Sequence, residues 1–120
     1  MPFNYMLTNL LVDVPEAIGA IFLDDEGEAV DWVTRHNDPF DLKVEGAYHS
    51  IFVRRMEAIS ADTETGVLKH YVIKGDALTS LTHTLPDGYY LVLVLDRPGH
   101  LGKALFHLEH AAGILTRELA

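Results

Sequence analysis

The chain has 120 residues, of which 48% are hydrophobic, and carries 18 acids against 9 lysines and arginines for a net charge of −9. Such a length suits one domain, residues 1–120, and that apolar fraction excludes a disordered chain. The acidic balance excludes general binding to nucleic acid or anionic membranes, which needs clustered cations, and Arg54-Arg55 is only a pair. No apolar run approaches the ~20 residues of a membrane span, and the first twenty residues lack a basic segment leading into an apolar core. A protein of the cytoplasm, without membrane insertion, is the expectation. The absence of cysteine removes disulfides, thiolate nucleophiles and sulfur-ligated metals.

In chain order, Phe3, Met6, Leu7, Leu10, Leu11 and Val14 recur at three- and four-residue spacing, which predicts a helix closed by Pro15. Ala17–Thr34 reads as a β-hairpin. Its first arm, Ala17–Leu23, is apolar on both sides and suits a strand covered on both faces. Gly19 and Ala20 within it mark the close approach of a helix. Asp24-Asp25-Glu26-Gly27 has turn chemistry, because aspartate bonds back to local N–H groups and Gly27 accepts positive φ. The second arm, Glu28–Thr34, mixes acids with apolar residues and belongs at a sheet edge.

Arg35-His36-Asn37-Asp38 reads as polar loop, and Asp38-Pro39 as a helix start with Asp38 capping. The helix should run to about Ser60. Its apolar residues Phe40, Val44, Ala47, Tyr48, Ile51, Phe52, Met56 and Ile59 span more than one stripe, so it needs two partners, the sheet and something else. Gly46 in its middle costs about 1 kcal/mol against alanine, which close packing would offset. Three strands are expected next: Val67–Ile73, then Ala77–Thr84 beyond the turn at Lys74-Gly75-Asp76, then Tyr89–Leu95 beyond Pro86-Asp87-Gly88. Tyr89–Leu95 is the most apolar run and should be central. Asp96-Arg97-Pro98-Gly99 ends it, and leucines at helical spacing predict a closing helix over Leu101–Leu119.

The two wholly apolar strands belong side by side, each with its hairpin partner outward, giving the order 2-1-5-4-3. The middle helix covers one face and the outer two helices the other. The expected fold is a profilin-like three-layer α/β/α sandwich of the α+β class, around a five-stranded antiparallel sheet.

Ala17–Val30 resembles the signature hairpin of the Roadblock family, which includes dynein light-chain Roadblock proteins and MglB-type bacterial motility regulators. Leu85–Leu95 resembles that family's last hairpin and Leu101–Leu119 its closing helix, so the likeness covers essentially the whole chain. The resemblance implies a dimer and a non-catalytic platform for small Ras-like GTPases, with paired middle helices and third strands joined edge to edge. It makes Phe40, Val44, Gly46, Tyr48, Ile51, Phe52, Arg55, Val67, Lys69 and Tyr71 the candidate dimer and partner residues. The middle strands depart from the family pattern in being rich in Thr and His.

Catalytic motifs are missing. There is no G-x-x-x-x-G-K-[ST] phosphate loop, no G-x-S-x-G elbow and no G-x-G-x-x-G fingerprint. No cofactor and no catalytic residue are expected. His100, His107 and His110 share a spacing that admits a one-face metal site, and a solvated face beside the leucine stripe accounts for them as well. Asp24-Asp25-Glu26 lacks the ligand spacing of a calcium loop. Arg54 or Arg55 as an arginine finger for a GTPase in trans competes with a plain surface charge. The leading reading is a GTPase-binding regulator that also binds itself. The alternatives are a structural adaptor in a dynein- or motility-type complex and a small-molecule sensor, the last disfavoured by a core of Leu, Ile and Val.

Overall fold

The structure, a computed structural model, describes residues 3–35, 40–96 and 99–119, with the backbone alone over 40–47. In order come α1 (Asn4–Asp13), β1 (Ala17–Leu23), β2 (Ala29–Thr34), α2 (Phe40–Asp62), β3 (His70–Lys74), β4 (Thr79–Thr84), β5 (Tyr90–Leu95) and α3 (Leu101–Leu119). The strands form one antiparallel sheet ordered β2-β1-β5-β4-β3, as the hydrophobic pattern requires. The two apolar strands are buried on both faces, β5 along its whole length. Helices α1 and α3 pack on one face and α2 on the other.

Register carries this layering across the sheet. The row Ala20, Leu93, Leu81, Val72 faces α1 and α3, and the neighbouring row Ile21, Val92, Thr82, Tyr71 faces α2. Met6, Leu7, Leu10 and Leu11 of α1 meet Leu108, Ala112 and Leu115 of α3 over the first face, with Phe3 edge-on to Phe22 at 5.1 Å between ring centroids. Val53 of α2 joins Ile21, Leu23, Val92 and Val94 on the second.

The opening hairpin turns as its residues dictate. Asp24 Oδ1 accepts from the amides of Glu26 (2.9 Å) and Glu28 (3.0 Å), and Gly27 sits at φ +84°. Glu28 closes that turn, so β2 begins one residue later than its pattern suggests. Arg35, expected as plain loop, has a structural task. Its guanidinium donates to the carbonyls of Leu11, Val14 and Ala17, placing a cation on the free carbonyl end of α1. His36, Asn37, the Asp38 cap and Pro39 lie outside the described residues, as do Arg97 and Pro98.

Three further strand starts correct the sequence reading, that of β5 by one residue, to Tyr90. β3 begins at His70, so Val67 and Lys69 precede it. The reason lies in the neighbour: β4 stops at Thr84, whose amide and hydroxyl take up the carbonyls of Lys69 and Leu68, and Leu85-Pro86 then leads the chain away. Upstream of Leu68 no ladder partner remains. β4 likewise begins at Thr79 instead of Ala77, because the amide of Gly75 bonds the carbonyl of Leu78 and closes the turn there.

Gly88 is specified by its surroundings as well as by its backbone. It lies at φ +82°, and a Cβ there would stand 2.8 Å from the Cβ of Asp25 in the other turn. Gly88→Ala is expected to cost about 2 kcal/mol, from left-handed strain plus the clash, measurable as a lowered midpoint in urea.

Candidate functional site: the outer face of α2 and the adjoining sheet edge

Two sides of α2 have opposite fates. His49, Val53 and Ser60 are buried against the sheet. Tyr48, Ile51, Phe52, Arg55, Met56 and Ile59 recur in the i, i+3, i+4, i+7 pattern of one helix face and all are exposed, Tyr48 at 61% and Ile59 at 55%. Five of those six side chains are apolar, and their spacing lays them in one stripe along the helix. The excess expected from the sequence is visible: one apolar side serves the sheet and another stays exposed among the described residues.

The candidate interface residues divide accordingly. Tyr48, Ile51, Phe52 and Arg55 lie together on the stripe. The backbones of Phe40, Val44 and Gly46 lie in the same helix, and their side chains fall outside the description. Val67 is apart from them, 88% exposed in the connection before β3, and Lys69 is exposed beside it. Tyr71 is half-buried and turned inward, its hydroxyl 2.7 Å from His49 Nδ1. Of β3 itself, Val72, Ile73 and Lys74 are exposed, and the strand is paired on one side only. No proline blocks that edge.

Beneath α2 lies a polar cluster that the sequence reading missed. His49 is 1% exposed, and its Nδ1 lies 3.3 Å from Thr82 Oγ1 as well as against Tyr71. Phe52 meets the His49 ring edge-on at 5.5 Å, so the outer stripe and the inner cluster touch. Tyr90 lies nearby; burial pushes its phenol up to about 12, with an opposing hydrogen bond from Ser50. The available signal was position. His49 falls four residues before Val53 and shares its helix face, away from Ile51, where a helix must face its sheet.

Arg54 also has a role invisible in the sequence. Its guanidinium donates to the carbonyls of Asp25 (2.8 Å) and Gly88 (3.4 Å) and pairs with Glu57 at 2.9 Å. It therefore ties α2 to both turns at one end of the sheet, which leaves Arg55 as the arginine of the exposed stripe. Arg54→Ala is expected to cost about 1 kcal/mol, since the side chain is 43% exposed and water replaces part of what is lost. Thermal unfolding measures it, and Arg55→Ala serves as the comparison with little expected effect.

His100 and the histidines of α3 do not gather into a metal centre. His107 Nδ1 faces Asp13 of α1 at 3.8 Å, while His100 and His110 are exposed. Among the described residues no group of three His, Asp or Glu side chains is placed to hold a metal ion. No described helix is long and apolar enough to cross a membrane.

This combination of a five-stranded antiparallel sheet, two helices on one face and a long helix on the other is the Roadblock/LC7 fold, related to profilin. The chain superposes on Myxococcus xanthus MglB with a TM-score of 0.88 at 15% identity, over 99% of this chain and 95% of that one. A Roadblock/LC7 domain from Streptomyces avermitilis gives a TM-score of 0.86 at 16% identity, covering 96% and 95%. Profilin II of Acanthamoeba castellanii gives 0.62 at 15% identity, covering 95% and 96%. No family model matches the chain, and no curated protein matches its sequence.

Proposed function

We propose that this protein is a non-catalytic regulator that pairs with a second copy through α2 and presents the resulting surface to a small Ras-like GTPase in the cytoplasm. The observation that carries the reading is the exposed stripe Tyr48, Ile51, Phe52, Arg55, Met56, Ile59 on a helix whose other side is already packed. Apolar side chains with one central arginine have the composition of an interface core, where aromatics, Met and Arg are enriched. The Roadblock/LC7 fold supports the same reading, since MglB shares it.

A pair of copies bound through α2 buries on the order of 1,600 Å² in total if it is stable. The open edge of β3 offers a second contact, in which two sheets join by main-chain hydrogen bonds. Two of the acids support a non-catalytic role. Asp24 serves the hairpin turn and Glu57 pairs with Arg54, so each already has a structural partner. Any effect on GTP turnover then comes from rearranging the GTPase's own segments. Arg54 is engaged in holding the fold, and neither arginine acts as a finger.

Light scattering tests the pairing. A dimer at about 50 μM is the expected result, and a monomer at that concentration, which corresponds to dissociation weaker than about −6 kcal/mol, overturns it.

A further inference from the structure

On the sheet face covered by α3, the two strands at one edge put histidine opposite histidine. His70 of β3 pairs in register with His83 of β4, and their rings lie stacked, 6.2 Å between centroids and 29° between planes. His83 Nδ1 donates to the carbonyl of Thr84 at 2.8 Å. His70 Nδ1 is buried with no hydrogen-bond partner, and Glu109 Oε1 of α3 stands 3.7 Å from it. We propose that the His70–His83 pair is a proton-operated latch on edge strand β3. It is closed while His83 is uncharged beside His70 and Glu109, and it springs open when both rings are charged.

The physical basis is placement. Directly opposed like charges destabilise a strand pair, and β3 has no second neighbour to hold it when β4 repels it. The charged groups around His83 are few. β3 and the residue before it contribute His70 and Lys69, α3 contributes Glu109, and its register partner on β5 is the uncharged Leu91. Tyr71 and His49 lie on the other face of the sheet. Burial holds His83 below its ordinary value of 6.5, with His70 and Lys69 adding to the shift and the Thr84 carbonyl and Glu109 opposing it. The sign follows. The unfolded chain binds this proton more readily than the folded one, so the stability that neutral His83 contributes is complete above pH 6.5. It is lost as pH falls from there through the lowered folded value.

Because β3 is also the edge proposed above to meet a second copy, acid should weaken that contact too. This consequence rests on the dimer reading, while the opening of β3 does not.

Amide exchange, corrected for intrinsic rates, tests the latch. Protection over His70–Lys74 relative to β1 and β5 is expected to fall at least about tenfold between about pH 7.5 and about pH 5, either side of the ordinary histidine pKa. In His83→Gln the ratio between the two pH values should be close to one. His70→Gln removes the repulsion and leaves the burial cost of charging His83, so its acid loss should be smaller than that of the wild type, which carries the test if the first variant folds poorly. Unchanged relative protection of β3 in the wild type, or an equal acid loss in either variant, overturns the latch. A dimer that persists with β3 opened overturns the edge pairing and leaves the latch standing.

Discussion

Glutamate at both Ile51 and Phe52 is expected to give a folded monomer. Ile51 and Phe52 are 49% and 39% exposed, so the substitutions leave Val53 packed on the sheet and remove only the edge-on contact of Phe52 with the His49 ring. At a self-complementary helix pair each glutamate appears twice, so four carboxylates are desolvated in one apolar contact. Burying an unpaired charge costs several kcal/mol, and the dimer should weaken by at least about 10³-fold. Unfolding free energies at low protein concentration should fall by no more than about 1.5 kcal/mol, the scale of one lost aromatic contact. A double variant that remains dimeric would place the contact elsewhere on the surface.

His49→Ala is expected to act in the opposite way, damaging the fold itself. The substitution leaves a cavity under α2 and takes a hydrogen-bond partner from Tyr71 and Thr82. Large-to-small changes in a core cost about 2–5 kcal/mol, and a buried polar group stripped of its partner adds about 1–3 kcal/mol unless another accepts it. A loss of about 3 kcal/mol in urea unfolding is the expected outcome. His49→Gln, which keeps a donor and an acceptor of similar reach, should recover part of it. Tyr71→Phe separates the terms, because it removes the hydroxyl of that pair and leaves the imidazole in place.

The difference between these two residues of α2 shows where sequence reading succeeds and where it stops. Apolar runs such as Ala17–Leu23 and Tyr90–Leu95 identify themselves, because only a strand covered on both faces tolerates them, and their hairpin partners then follow into the order β2-β1-β5-β4-β3. The excess apolar arc on α2 is readable for the same reason. The start of β3 is not, since it depends on where β4 runs out of residues to pair with. Arg35 and Arg54 look like surface cations, yet their partners are backbone carbonyls, 29 residues away in the case of Asp25 and Arg54. A carbonyl carries no mark in a sequence. His49 is intermediate: its burial follows from helical phase, its hydrogen bonds only from the fold.

The Thr and His content of the middle strands, which departs from the Roadblock pattern, now has a structural meaning. Thr82 faces His49 under α2, while His83 and His70 face Glu109 under α3, so alternate residues of β4 line polar clusters on both sides of one edge. That edge combines an open strand, an unpartnered buried nitrogen on His70 and an exposed helix stripe on the neighbouring layer.

The claim that α2 presents a platform for a GTPase is tested most directly by titration calorimetry with a small Ras-like GTPase from the same genome. The GTPase is loaded with a non-hydrolysable GTP analogue and titrated into wild-type protein and into the Ile51→Glu, Phe52→Glu variant. Saturable binding to the wild type at a dissociation constant of about 10 μM or tighter, lost in the variant, is the result predicted. Absence of binding by the wild type at about 100 μM, or equal binding by the monomeric variant, would contradict it.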